Sequence, residues 1–183
     1  MRVVLLLCGL LLTACGGSQP AETAERDSIP SETVYQPDTL WQRYSPRLRT
    51  LLGPETGIVR GVDFGMTTEE VKELETTSEP FEETGKLLAY EVPLDELQTA
   101  DVQYHFNSRG QLTKCVIEPF LNRQSAVDSL FAETRAYFND RYGPSAAEQP
   151  KKVRWQAAGL RTELEDVGVA KALGLRITLA QEE

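Results

Sequence analysis

Residues 102–117 read VQYHFNSRGQLTKCVI, and their pattern decides the fold. Val102, Tyr104 and Phe106 alternate with Gln103 and His105, the period of a strand with one buried face. Asn107-Ser108-Arg109-Gly110-Gln111 then supplies a tight turn, and Leu112 to Ile117 returns as a second strand. An antiparallel hairpin is therefore the seed of the chain's organisation. Leu87 to Val92 reads as a strand before it, and Pro119 reads as the end of the run.

Outward from this hairpin the same grammar recurs. Thr67 with Glu70 three residues on forms a capping box, which starts a helix after Phe64-Gly65-Met66. In that helix Val71 and Leu74 are expected to face inward, while Glu69, Glu70, Glu73 and Glu75 face water. Beyond Pro119, Val127, Leu130, Phe131, Thr134, Tyr137 and Phe138 mark one buried face of a helix over Ser125 to Tyr142, stopped by Gly143-Pro144. Three strands follow, over Val153 to Gln156, Leu160 to Val167 and Leu173 to Ala180. Residues 64–119 and 124–181 thus each read as a helix followed by three strands, a tandem αβββ pseudo-repeat. The expected class is α+β, with a largely antiparallel sheet of about six strands and two helices on one face.

Upstream, Ile58 to Phe64 reads as a short strand. Residues 35–57 read as a connector of two short helical pieces, with Ser45-Pro46 as cap and first residue and Gly53-Pro54 as the stop. Arg43, Arg47 and Arg49 make it a basic patch in an acidic chain. That patch suits contact with membrane phosphates or an acidic partner, or pairing with the domain's own carboxylates. Residues 15–34 are rich in Gly, Ser, Pro, Thr and Glu and form a flexible tether. The single α+β domain is expected over 58–183.

The N-terminus holds one charge, Arg2, an apolar run from Val3 to Leu12, and then Leu12-Thr13-Ala14-Cys15. The run is about half of the roughly 20 residues that a membrane-spanning helix needs, so 1–14 reads as a signal peptide cut between Ala14 and Cys15. Those four residues resemble the lipobox of bacterial lipoproteins. The resemblance implies that Cys15 carries a covalent lipid and that the chain is exported and held to a membrane. Gly16 after the cysteine favours the outer membrane, on its periplasmic side, in a two-membrane cell. In a single-membrane cell the place is the outer surface.

Phe64-Gly65-Met66-Thr67-Thr68-Glu69-Glu70-Val71 is similar to the helix start of the SmpA/OmlA outer-membrane lipoprotein family and of folds like the β-lactamase inhibitor protein. The hairpin from Tyr104-x-Phe106 to Gly110-x-Leu112 is similar to the strands that follow it there. The resemblance implies a periplasmic domain that binds other proteins, with no catalytic residues to carry over. The second αβββ unit departs from that family's pattern.

The rest of the composition narrows the chemistry. The formal net charge is −9, and loss of Arg2 with the signal takes it to −10, a balance that disfavours nucleic acid. Of three cysteines, Cys8 leaves with the signal and Cys15 is expected to be a thioether, so Cys115 has no disulfide partner. One histidine, His105, is too little for a metal set or a triad, and its pairing with Cys115 fails on reach. Glu163, Glu165 and Asp166 are carboxylates of a solvated strand face. No catalytic residue, metal ligand or cofactor site is expected. The functional expectation is a lipid-anchored, non-enzymatic envelope protein whose domain binds a protein partner, through the uncovered sheet face or an edge strand. The alternatives are a periplasmic carrier or sensor of a small apolar ligand and, behind it, an envelope hydrolase.

Overall fold

The computed structural model describes residues 41–76, 78–169 and 172–182. The expected signal peptide, Cys15 and the expected tether lie outside the described residues. Among the described residues there are three helices: α1 (Pro46–Leu52), α2 (Thr68–Leu74) and α3 (Gln124–Tyr142). The same residues form eight strands, in chain order β1 (Glu82–Glu83), β2 (Leu87–Asp95), β3 (Gln98–Phe106), β4 (Leu112–Leu121), β5 (Ala147–Gln149), β6 (Lys152–Ala157), β7 (Leu160–Asp166) and β8 (Leu173–Gln181). They form one antiparallel sheet in the order β1-β2-β3-β4-β8-β7-β6-β5.

The α+β class and antiparallel pairing match expectation, and three details differ. Eight strands replace about six, because β1 and β5 are two and three exposed residues that carry no apolar alternation. A third helix, α1, joins the core. Ile58 to Phe64 is no strand: Val59 and Val62 make an isolated bridge around Arg60 and Gly61, both at positive φ (52° and 79°). A tight turn with buried valines on both flanks therefore carries the apolar content that reads as a strand.

The quoted hairpin folds as its letters dictate. Asn107 Oδ1 accepts from the backbone N–H groups of Arg109 and Gln111, and Gly110 takes the positive φ (74°) that closes the turn. Pro119 does not end β4. It pairs with Ala100 of β3, and the ladder to β8 resumes at Phe120, opposite Gly174. A Cβ on Gly174 would lie 2.9 Å from the Pro119 carbonyl oxygen, so glycine is what lets the two strands approach.

One face of the sheet is covered. Tyr90, Val102, Tyr104, Ile117, Trp155, Leu164 and Ile177 are all at most 2 % exposed there. Above them pack Leu48, Leu51 and Leu52 of α1, Val71 of α2, and Val127, Leu130, Tyr137 and Phe138 of α3. Burying a side chain of this size stabilises by about 1.5–3 kcal/mol, so α1 is part of the domain rather than a connector laid on it. Trp155 adds a hydrogen bond from its indole N–H to Asn139 Oδ1 at 2.9 Å, which ties β6 to α3.

Candidate functional site

Two regions concentrate polar chemistry, and each lies on its own face of the sheet. On the covered face, the turn at 57–62 carries Arg60 into the core, where it is 8 % exposed. Its guanidinium makes a two-pronged pair with Glu75, Nε to Oε1 at 2.5 Å and Nη2 to Oε2 at 2.7 Å. Nη1 donates to the carbonyls of Thr50 and Leu51 at the C-terminal end of α1, the end where backbone acceptors lack helical partners. Tyr104 Oη donates to Glu75 Oε1. Burial works against the charge on Arg60, but the hydrogen bonds and charge of Glu75 outweigh it and hold the guanidinium above its ordinary pKa. Burial, then the neighbouring Cys115 and Glu75, push the Tyr104 phenol well up, so it remains a donor.

Every oxygen of Glu75 is committed within this cluster, so it joins α1, the turn, α2 and β3 rather than presenting a base to solvent. Glu75 was expected to face water and Leu74 to face inward. The structure reverses them, because α2 ends at Leu74 and the chain turns there. Glu75 is 6 % exposed and Leu74 is 44 % exposed. No period marked Arg60 in the sequence, because the turn buries Val59, Arg60 and Val62 without a strand's alternation.

Beside this cluster runs a solvent-open groove of about 520 Å³, lined by Trp41, Arg49, Thr50, Thr56, Arg60 and Glu75 among others. The three expected patch residues separate. Arg49 lines this groove, Arg47 pairs with Asp95 at 2.9 Å, and Arg43 is exposed on the turn before α1. Positions 47 and 49 project from nearly opposite sides of a helix, so α1 cannot gather them.

Among the described residues, no helix packs on the other face of the sheet. Register places side chains in rows across it. Glu91 of β2, Asp101 of β3 and Glu118 of β4 stand directly side by side. Glu118 accepts from Arg176 Nε at 2.6 Å, and Arg176 is opposite Glu165, itself opposite Lys152. A second row holds Arg154 against Glu163 at 2.9 Å, and Lys152 Nζ reaches the same carboxylate at 3.1 Å. Burial pushes the Asp101 carboxyl up, and Glu91 and Glu118 add to that. For Glu163, burial works upward but Lys152 and Arg154 win and hold it below the usual range.

At the β4–β8 end of this face, Phe120 and Val169 are 48 % and 65 % exposed and line a depression of about 210 Å³ with Leu173 and Arg176. His105 also lies on this face, opposite Lys114, whereas Cys115 points into the core opposite Tyr104. The two therefore sit on opposite sides of the sheet. Among the described residues, no group of three or more His, Cys, Asp or Glu is arranged to hold a metal ion. No protein-family model matches this chain, and neither the curated proteins nor the solved structures contain a significant match to it.

Proposed function

We propose that this chain is a lipid-anchored, non-enzymatic protein of the cell envelope whose domain binds a protein partner through the uncovered face of its sheet. The anchor is Cys15, freed by cleavage after Ala14, and the tether to about residue 34 spaces the domain from the membrane. The observation that supports a docking role is the open face itself. It is a broad surface of registered charges with an apolar margin at Phe120 and Val169, in a sheet whose opposite face is fully used by the core.

The edges are a poorer candidate than the face. β1 and β5 are too short to template an added strand, and β1 is two glutamates. A small ligand is the second reading, favoured by the groove that brings Trp41 and Arg49 together. We also propose that the domain arose as a tandem unit of a helix and four strands. α2 precedes the meander β1-β2-β3-β4, α3 precedes β5-β6-β7-β8, and the halves meet at β4 and β8 with Ile117 opposite Ile177.

Crosslinking in intact cells, followed by purification of a tagged chain, tests the partner reading. A reproducible protein adduct is expected. Repeated recovery of no protein, with a small molecule retained by the purified domain, turns the assignment to the carrier reading. The anchor has a separate test, since Cys15→Ala should abolish fatty-acid labelling and release the chain from membranes.

A further inference from the structure

The two halves of the open face carry opposite charge. Glu82 of β1 pairs with Ala89, which puts it on the open side, in line with Glu91, Asp101 and Glu118 and against the single cation Lys114. Across the midline, Lys152, Arg154, Arg161 and Arg176 of β6, β7 and β8 stand against Glu163, Glu165 and Glu182, the last accepting from Gln156 at 2.6 Å. By count, the β1–β4 half is three negative and the β5–β8 half one positive. Such a surface is complementary to itself. A two-fold axis parallel to the strands, passing between β4 and β8, turns one face onto another so that β4 lies over β8, β3 over β7 and β2 over β6. Acidic half then meets basic half at both ends of the contact.

We propose that the protein docked on this open face is a second copy of the same chain, in a face-to-face two-fold dimer held by these complementary halves. The inference rests on the reading of the open face as a protein-binding surface. In this arrangement Glu118 meets Arg176 of the second copy and Glu91 meets its Lys152. Asp101 meets Glu165, the one like-charged contact, which sets a limit on how closely the sheets approach. Six strands about 4.8 Å apart and about seven residues long give roughly 650 Å² per copy, or about 1,300 Å² in all, enough for a specific dimer. Charge complementarity of this kind also sets register and suppresses wrong partners.

The test uses the full chain in its native membrane. A benzoylphenylalanine photocrosslinker is placed at Thr178 or Gln103, on the open side of β8 and β3, with two differently tagged copies expressed together. The expected product has twice the mass of the chain and carries both tags. Glu91→Lys with Glu118→Lys leaves both halves net basic, and Lys152→Glu with Arg176→Glu leaves both net acidic. Each double variant alone should lose the doubled product at least tenfold, and co-expression of the two should restore it.

A doubled product indifferent to these reversals, or not restored by mixing, overturns the proposal. An adduct of some other mass without a doubled one also overturns it, while leaving the partner reading intact. No adduct from either position removes both. Circular dichroism checks that each variant keeps its sheet. If a double variant does not, Glu91→Lys and Lys152→Glu as single changes pose the same question at exposed or half-exposed positions.

Discussion

The covered and open faces of the sheet both hold ion pairs, and the pairs are built differently. Arg60 and Glu75 are withdrawn from water, with side chains 7 % and 3 % exposed, and nearly every donor and acceptor is matched. Lys152, Arg154, Glu163 and Glu165 stay wet, share partners, and meet at 2.9 to 3.6 Å. Desolvation accounts for the contrast. A buried charge must have a fixed partner, so the covered pair holds particular segments together, whereas solvated charges can exchange partners and leave the face available for docking.

Removing one member of the buried pair gives the largest expected effect. Arg60→Ala leaves Glu75 buried without its counter-ion and should destabilise by about 3–5 kcal/mol in urea unfolding. A loss under about 1 kcal/mol would mean that water reaches Glu75, and the two faces would then not differ as described. Tyr104→Phe removes one donor to the same carboxylate and should destabilise by about 1–2 kcal/mol, with the sheet intact by circular dichroism.

On the open face, Glu163→Gln should destabilise by less than about 1 kcal/mol, and the effect should shrink in high salt. Its sign with pH follows from its lowered pKa. The stabilisation is present above the ordinary glutamate value and is lost as pH falls through the folded-state value, so the variant and the parent converge in acid.

Asp101→Asn is the smallest change and runs the other way. The folded-state pKa of Asp101 is raised, so its contribution is most favourable below the ordinary value of 3.8 and is lost as pH rises through the folded-state value. At neutral pH the variant should therefore be more stable than the parent, by a few tenths of a kcal/mol, because it removes a like charge between Glu91 and Glu118. Stability curves from pH 3 to pH 7 should show that gain closing in acid. A loss of stability at neutral pH would mean that the acidic row is held by something other than repulsion among its members.

Much of the architecture was legible where a period ran long enough. The alternation of β3 and β8, the stripe of α3, the turn at Asn107–Gly110 and the capping box at Thr67 all fold as read, since each depends on neighbours within a few residues. Short elements were legible only where caps marked them: α1 starts and stops as read, at Ser45-Pro46 and Gly53, but its place in the core rests on three leucines inserted among distant strands, and β1 and β5 exist because β2 and β6 offer them an edge. The role of Glu75 was hidden because a residue at a helix end faces wherever the following turn sends it. Its partner Arg60 is fifteen positions away.

By itself the sequence determined the α+β class, the antiparallel hairpins and the limits of the long helix. These follow from local periodicity, turn chemistry and composition, which act over short stretches of chain. Tertiary structure alone decided that Arg60, Glu75 and Tyr104 share one buried cluster, that Arg47 and Arg49 part company, and that Glu91, Asp101 and Glu118 line up across three strands. The reason is register. A one-residue slip between strands moves every side chain to the other face, so the pattern of charge across a sheet is a property of how strands pair rather than of any one strand.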